Sequence, residues 1–315
     1  MHHQMALSLP ERLIARSVRK QSDQAGIVRG SQADSPAAAL ARLPIGGILA
    51  HLGKLRQEDI ANVLTLQRKE LKPFGRTAVK HNLVVEADVQ QALAIQFGYP
   101  FVHPGAAHFR KDLRAAYDPF SEHVDALRSL RSELLGRWLD TENKIVAIVS
   151  PQRGEGRSYL AANLAVVFAH MGCHTLLVDA DLRFPSQHEI FKARNSIGLS
   201  SLLARRFIPE NIITTVPVFS SLRLLVSGPA APNPADLLAS PLLSVALRKL
   251  KQRFDVILID TPCNLYPEAI NIASKADRIL MVTRKHHTPI GAAKEVTARL
   301  GGLNGKLIGC VLSSF

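Results

Sequence analysis

Short apolar runs alternate with helical patterns along the last two thirds of the chain. Six runs rich in leucine and β-branched residues are separated by stretches whose apolar positions recur at helical spacing. The runs cover residues 145–149, 175–178, 222–226, 256–259, 279–282 and 307–312. Short strands separated by helices are typical of a mostly parallel, doubly wound sheet. The pattern predicts an α/β fold whose active site lies at the carboxyl ends of the strands.

The stretch between residues 45 and 96 repeats itself at a fixed interval. Gly46 returns as Gly75, 29 residues later, and Asp59 returns as Asp88 at the same interval. Each copy carries apolar positions at helical spacing, preceded by acidic residues suited to the start of a helix. The pattern predicts a small all-helical domain built from two copies of one unit.

Composition shifts along the chain predict four regions. Residues 17–39 are rich in Ser, Gln, Asp, Ala and Gly, so we expect residues 1–39 to form a disordered basic tail. Residues 40–102 are the small helical domain, and residues 103–119, which contain proline and glycine, are a linker. Residues 120–315 form the α/β domain, which opens with a basic amphipathic helix at residues 121–138.

The chain carries a formal net charge of +13, which favours binding to an anionic surface or to a protein partner. No helix-turn-helix, zinc-finger or aromatic RNA-binding pattern accompanies the charge, so we expect no nucleic-acid partner. The three cysteines fit neither a disulfide framework nor a zinc site. The sequence shows no apolar run long enough to span a bilayer and no secretory signal, which predicts a cytoplasmic protein.

A candidate phosphate-binding loop follows the first strand directly. Residues 150–158 read Ser-Pro-Gln-Arg-Gly-Glu-Gly-Arg-Ser and lead into a helical run. In such loops backbone amides converge on a phosphate at the start of a helix, beside a cationic side chain and a hydroxyl. Pro151 and Arg157 replace the first glycine and the lysine of the general pattern, and taken alone the turn could be a simple connection. The residues expected to contact the nucleotide are Gly154, Glu155, Gly156, Arg157, Ser158 and Tyr159.

Two later strands end in acidic residues. Asp179 and Asp181 follow the run 175–178, and Asp260 follows the run 256–259. Mg²⁺ is usually held by one or two carboxylates together with nucleotide phosphates. A single aspartate in such a place could equally cap a helix. Combined with the loop, the pattern predicts a site for ATP together with Mg²⁺ close to these carboxylates.

These motifs resemble those of the bacterial tyrosine kinases, which are P-loop NTPases of the MinD and ParA type. The resemblance is strongest to the EpsG-type subgroup associated with chain-length determinants. The motifs that carry it are Asp118-Pro119, Arg128-Ser129-Leu130-Arg131, Gly154-Glu155-Gly156, Asp179-Ala180-Asp181-Leu182-Arg183, Ser227-Gly228-Pro229 through Pro232-Asn233-Pro234 to Asp236-Leu237-Leu238, and Asp260-Thr261-Pro262.

The resemblance implies an ATP-binding protein-tyrosine kinase that acts in exopolysaccharide biosynthesis, polymer chain-length control and export. Its partner would be a membrane chain-length determinant, a polysaccharide co-polymerase, contacted at its cytoplasmic segment. The protein would then be peripheral at the inner face of the plasma membrane. Asp179, Asp181 and Asp260 would be the catalytic carboxylates, with Asp181 taking the tyrosine proton. Ser158, Asp179 and Asp260 would be the ligands of Mg²⁺.

The helix at residues 121–138 carries a further part of the resemblance. Asp125, Arg128 and Arg131 match a family motif for ring assembly, which implies a homo-oligomer. The other interpretation of this helix is a solvated basic face.

Three departures from the family support a different function. The four tyrosines are Tyr99, Tyr117, Tyr159 and Tyr266, so the C-terminal tyrosine cluster of the family is missing. Arg157 replaces the P-loop lysine, and Ser313 stands where relatives place an asparagine near the adenine. One alternative is therefore a nucleotide-gated regulatory partner without kinase activity. A second is a partitioning-type positioning ATPase, but Gln152 replaces the signature lysine of that class.

The repeated N-terminal unit weakly resembles the N-terminal domain of type II secretion and pilus assembly ATPases, some of which bind cyclic di-GMP. The nucleotide-binding versions open each repeat with Arg-Leu-Gly, whereas this chain has Pro-Ile-Gly at residues 44–46 and Pro-Phe-Gly at residues 73–75. The difference favours protein docking over cyclic di-GMP binding as the role of this unit.

Overall fold

The structure is a computed structural model that describes residues 36–102, 108–205, 211–263, 266–303 and 305–314. These residues form two compact units. The helical unit contains residues 36–102 and 114–125, and the α/β unit contains residues 108–113 and 126–314. The predicted tail lies outside the described residues apart from its last four positions. The boundaries 40–102, 103–119 and 120–315 stay a prediction, which limited proteolysis would test.

The helical unit contains two successive pairs of helices, and their description as two copies of one unit stays a prediction. Its helices are α1 (Pro36–Ala41), α2 (Ile45–His51), α3 (Asp59–Glu70), α4 (Phe74–Lys80), α5 (Glu86–Phe97) and α6 (Arg114–Tyr117). Helices α2 and α3 correspond to α4 and α5 at the predicted repeat interval. Gly46 and Gly75 permit close packing, because an added Cβ atom would lie 2.8 Å from Phe74 Cζ and 2.6 Å from Val89 Cγ1 respectively. The prediction of a helical N-terminal region is confirmed.

The α/β unit is built on a seven-stranded sheet. The predicted basic helix is observed as α7 (Glu122–Glu133), followed by a π-helical turn, Leu134–Trp138. The strands are β1 (Ile145–Val149), β2 (Thr175–Asp179), β3 (Thr214–Thr215), β4 (Leu222–Leu225), β5 (Val256–Asp260), β6 (Arg278–Arg284) and β7 (Leu307–Ser313), in the order β3-β4-β2-β5-β1-β6-β7. Among the strands that the structure describes, β3 alone runs antiparallel to its neighbour. The predicted doubly wound α/β fold is confirmed.

Helices connect the strands and cover the sheet. They are α8 (Arg157–His170), α9 (Gln187–Ile190), α10 (Leu199–Leu203), α11 (Pro234–Ala239), α12 (Pro241–Lys251), α13 (Pro267–Lys275) and α14 (Ile290–Gly301). Strands β1, β2 and β5 are buried at every position, as expected for central strands of a parallel sheet covered on both faces. Their carboxyl ends are therefore held rigidly at one edge of the sheet, where β1 leads into α8.

Within the described residues, no helix combines the length and the apolar character needed to cross a membrane.

Candidate nucleotide site

The loop between β1 and α8 has the backbone geometry of a phosphate-binding loop. Gly154 and Gly156 adopt φ angles of +80° and +88°, in the left-handed region that favours glycine. Gly156 is also the residue immediately before α8. The first amides of a helix have no partner within the helix and point toward an anion placed at its start. This arrangement suits a nucleotide phosphate.

The buried side chain of Glu155 stabilises the phosphate-binding loop through hydrogen bonds. Its Oε2 accepts a hydrogen bond from the Gln152 N–H at 2.8 Å, and its Oε1 accepts one from the Thr288 hydroxyl. The residue is buried. Both oxygens of Glu155 are thus used within the protein, although the sequence motif placed this residue among the nucleotide contacts.

The turn that follows β6 also supports the loop. Arg284 Nη1 donates to the Gly154 carbonyl at 3.2 Å, and His287 Nε2 lies 3.4 Å from the Arg153 carbonyl. Thr288 belongs to the same turn. His286 and His287 in this turn are both exposed, and the sequence gave no sign that the turn contacts the phosphate-binding loop.

Three aspartates meet at the carboxyl edge of the sheet. Asp179 ends β2 and Asp260 ends β5, and these two residues are directly paired across the parallel strands. Both side chains are fully buried, and Asp181 is 4% exposed. Parallel strands therefore bring together the three carboxylates that the sequence singled out.

Backbone amides hold two of these carboxylates. Asp179 accepts hydrogen bonds from the N–H groups of Asp181, Ser186 and Gln187 at 3.2, 3.1 and 2.9 Å. Asp181 accepts from the N–H groups of Arg183 and Phe184 at 3.2 and 3.0 Å. The turn between β2 and α9 thus fixes the orientation of both side chains.

Crowding and burial change the proton affinity of these groups. Burial raises the pKa of Asp179 well above its ordinary value, and the neighbouring Asp260 carboxylate raises this pKa further. Burial also raises the pKa of Asp181, whereas the nearby Arg157 cation opposes that shift. Both carboxyl groups therefore hold a proton more readily than a solvated aspartate does.

Arg157 lies among the carboxylates. Its Nε donates to Asp260 Oδ1 at 3.0 Å, its Nη2 to Asp181 Oδ2 at 3.0 Å, and its Nη1 to Ser150 Oγ at 2.9 Å. The side chain is buried. The residue that replaces the P-loop lysine is therefore the counter-ion of two of the three aspartates, a pairing that the sequence did not reveal.

Gln187 joins the three motifs, and sequence reasoning missed it. Its Nε2 donates to Asp260 Oδ2 at 2.8 Å and to the Ser158 carbonyl at 3.0 Å, while its backbone N–H donates to Asp179. The residue is fully buried. Nothing in the local sequence marks this glutamine, because its partners lie 29 and 73 positions away.

A row of aromatic and cationic side chains lines the same turn. The Arg153 guanidinium lies 3.7 Å from the centre of the Phe184 ring, and the Arg183 guanidinium lies 4.8 Å from the centre of the Tyr266 ring. Arg183 also donates to the buried Glu268 at 2.7 Å. This row places exposed aromatic surface on Phe184 next to the phosphate-binding loop.

Other predicted residues occupy simpler positions. Ser158 and Tyr159 are half-buried in the first turn of α8, and the Tyr159 carbonyl accepts a hydrogen bond from Asn163 at 3.0 Å. Asp125, Arg128 and Arg131 lie on α7, where Arg131 Nη1 donates to the Val167 carbonyl at 2.9 Å. The role of these three residues in oligomer assembly stays a prediction.

The residues at the carboxyl edge suit a nucleotide with a hard cation. Mg²⁺ prefers oxygen ligands and usually takes only one or two from protein carboxylates. Across the described ranges, no three acidic, histidine or cysteine side chains form a preformed metal cluster. The nucleotide phosphates would therefore have to supply part of the coordination, as they do in phosphoryl-transfer enzymes. The Ser158 hydroxyl, in the first turn of α8, and the Asp260 carboxylate, at the end of β5, would supply the remaining ligands from the protein.

Comparison with known proteins shows the family. A family model described as ParA, NUBPL iron-transfer P-loop NTPase, matches residues 141–312. The tyrosine-protein kinase YwqD of Bacillus subtilis (strain 168) is 32% identical over 208 residues, which are 66% of this chain and 87% of YwqD.

Solved structures agree with this relationship. The kinase domain of the Escherichia coli tyrosine kinase ETK aligns with a TM-score of 0.62 at 26% identity, over 64% of this chain and 79% of that domain. The BceF tyrosine kinase domain aligns with a TM-score of 0.60 at 30% identity, over 73% of this chain and 89% of that domain. The predicted resemblance is confirmed, and the chain belongs to the bacterial tyrosine kinase family of ParA-like P-loop NTPases.

Proposed function

We propose that this chain is an ATP-dependent protein-tyrosine kinase that transfers the γ-phosphoryl group of ATP to a tyrosine hydroxyl. The observation that carries the proposal is the meeting of Asp179, Asp181 and Asp260 beside a loop with two left-handed glycines. Membership of the tyrosine kinase family supports it.

Each group in the site has a role that fits its position. The backbone amides around Gly154 and Gly156 bind phosphate, with Arg157 supplying positive charge and Tyr159 following Ser158 in the first turn of α8. Ser158, Asp179 and Asp260 would hold Mg²⁺, directly or through water. When bound, the metal offsets charge on the β- and γ-phosphates. Asp181 accepts the proton of the tyrosine hydroxyl, a task that its raised pKa favours.

The pairing of Arg157 sets a limit on turnover. Its guanidinium is shared between Asp181 and Asp260, so contact with a phosphate requires it to give up part of these interactions. Its planar fork also differs from the compact ammonium of lysine, which binds phosphate as a point charge. We therefore expect slow catalysis rather than loss of nucleotide binding. YwqD, ETK and BceF are tyrosine kinases, which favours neither the regulatory alternative nor the partitioning alternative.

The biological setting follows from the family resemblance and the charge. The chain acts in exopolysaccharide biosynthesis and polymer chain-length control, with the cytoplasmic segment of a membrane chain-length determinant as its partner. This partner holds it at the inner face of the plasma membrane. The net charge of +13 suits an anionic surface at that place. Asp125, Arg128 and Arg131 assemble the homo-oligomer, and the helical unit docks a protein rather than cyclic di-GMP.

The test uses the purified full chain with Mg²⁺ and ATP labelled at the γ-phosphate. The reaction is run with and without the cytoplasmic segment of the partner, beside an Asp179→Ala, Asp181→Ala double variant. Phosphotyrosine that forms with the wild type and disappears with the double variant supports the proposal. ATP binding that yields no phosphotyrosine under either condition contradicts it and favours a nucleotide-gated assembly partner.

A further inference from the structure

Gln187 carries an acceptor atom that the protein leaves unused. Its side chain is fully buried, and both hydrogen bonds of its carboxamide are donated by Nε2, to Asp260 and to the Ser158 carbonyl. Its Oε1 is buried and has no hydrogen-bond partner among the residues that the structure describes. A buried polar atom without a partner costs free energy, and native proteins keep few of them.

The orientation of this carboxamide is determined by its neighbours. The two atoms close to Nε2 are a carboxylate oxygen and a carbonyl oxygen, which can only accept hydrogen bonds. Rotating the amide by half a turn would place Oε1 against both acceptors and leave Nε2 without either partner. Oε1 is therefore the atom that remains available.

Gln187 and Arg157 together fix the Asp260 carboxylate. Gln187 Nε2 donates to Oδ2 at 2.8 Å, and Arg157 Nε donates to Oδ1 at 3.0 Å. Arg157 is a phosphate-binding residue in this site and can exchange its partner, whereas Gln187 is anchored a second time at the Ser158 carbonyl. Gln187 is thus the group that keeps Asp260 in place when Arg157 turns toward a phosphate.

We propose that Gln187 is a positioning residue for the nucleotide-bound metal: it orients Asp260 through Nε2 and accepts through Oε1 a hydrogen bond from the hydration shell of Mg²⁺. The inference rests on the proposed function of the same site. Mg²⁺ keeps several of its waters, and each water brings hydrogen-bond donors into the buried site. Groups that orient metal ligands from outside the coordination shell typically change metal affinity or activity by about 10- to 100-fold when they are replaced.

The test measures metal affinity rather than catalysis. Binding of fluorescent ADP to the full chain is followed while Mg²⁺ is titrated, and again in EDTA without any divalent metal. Gln187→Met keeps the length of the side chain but removes both the donor and the acceptor. We expect it to raise the Mg²⁺ concentration at half-saturation by about 10-fold or more, with nucleotide affinity in EDTA changed less than about two-fold.

A matched control is available in the helical unit. Gln91 also has a buried Oε1 without a partner among the described residues, so Gln91→Met removes a comparable group far from the proposed chemistry in sequence. This control should leave the Mg²⁺ dependence unchanged. A Gln187→Met variant whose Mg²⁺ dependence equals that of the wild type overturns the inference.

A second variant and the nucleotide binding of the wild type separate the possible outcomes of this experiment. If circular dichroism shows that Gln187→Met does not fold, Gln187→Asn replaces it. Its carboxamide is one methylene shorter and cannot reach Asp260 and Ser158 together, so the same shift is expected and an unshifted value overturns the inference. A wild type that binds no nucleotide contradicts the proposed function as well, whereas an unchanged Mg²⁺ dependence in the variants contradicts only the role of Gln187.

Discussion

Both units of the molecule bury aspartates, but the two units differ in how the negative charge of these aspartates is paired with cations. In the helical unit, Asp59 pairs with Arg56 at 2.8 Å and Asp88 pairs with Lys54 at 3.2 Å, so each acid has its own cation. In the α/β unit, Asp179 lies against Asp260, and one arginine is shared between Asp260 and Asp181.

This difference separates acids that stabilise a fold from the acids that we propose take part in chemistry. Asp88 accepts the Val85 N–H at 3.2 Å and so holds the start of α5. Asp179 and Asp260 are held against each other at the expense of stability, because burying neighbouring like charges is unfavourable. Such a cost persists at functional sites, where perturbed pKa values concentrate. The contrast can be tested one aspartate at a time.

Removing the proposed base should have the largest effect. Asp181→Asn keeps the shape of the side chain and an acceptor for Arg157 but removes the proton acceptor. We expect kcat for tyrosine phosphorylation to fall by about 10²- to 10⁴-fold, measured with a tyrosine-containing polymer as substrate. The matched variant Asp59→Asn, at a buried aspartate of the helical unit, should retain kcat within about two-fold. A similar loss in both variants would show that the contrast between the units is wrong.

Removing the shared cation should have the next largest effect, on stability. Arg157→Ala leaves Asp181 and Asp260 buried beside Asp179 without a counter-ion, which should cost about 3–5 kcal/mol in the free energy of unfolding. Arg56→Ala is the control, because Arg56 is exposed and solvent screens its ion pair, so its loss should leave the free energy of unfolding nearly unchanged. Urea denaturation measures both values. Equal costs would mean that Arg157 is not the counter-ion of the site.

The raised pKa of Asp179 predicts the sign of a pH dependence. Between the ordinary aspartate pKa of about 3.9 and the raised value, the folded protein holds a proton at Asp179 that the unfolded chain has lost. The contribution of Asp179 to the free energy of unfolding is therefore fully present below the ordinary pKa. It is lost as pH rises toward the raised pKa, by at most about 1.4 kcal/mol per pH unit for one proton. Asp179→Asn should flatten this slope.

The measurement is the urea midpoint in EDTA at several pH values from 4 to 8, in wild type and in Asp179→Asn. A slope that is identical in the two proteins would contradict the assignment of the raised pKa to Asp179.

The smallest effect is expected in the helical unit. Asp88→Ala removes the side-chain acceptor at the start of α5 and the partner of Lys54, which should cost about 1 kcal/mol of stability. Thermal denaturation measures this loss, and ATP affinity should stay the same. A weaker ATP affinity in Asp88→Ala would show that the helical unit takes part in nucleotide binding.

The sequence was sufficient for those features that depend on local pattern. The central strands, the loop around Gly154 and Gly156, and the acids at the ends of β2 and β5 all follow from periodicity and residue type. The repeat interval predicted the two helix pairs, because each copy must bury the same face. These features need no information about distant parts of the chain.

Contacts between residues far apart in the chain could not be predicted from the sequence. The pairing of Arg157 with Asp260 spans 103 positions, and the contact of Glu155 with Thr288 spans 133. A loop motif gives the order of residues but not the direction of each side chain, so the sequence did not show that the Glu155 side chain contacts Thr288. Gln187 was missed for the same reason, since only the folded sheet brings Ser158 and Asp260 to it.

The most direct measurement is the amount of phosphotyrosine formed for each ADP released, with the purified full chain, Mg²⁺-ATP and the cytoplasmic segment of the partner. A tyrosine kinase gives a ratio close to one before the acceptor is exhausted, and Asp181→Asn lowers the amounts of both products together. Release of ADP with phosphate but without phosphotyrosine would contradict the proposal that this cluster of carboxylates serves phosphoryl transfer to tyrosine.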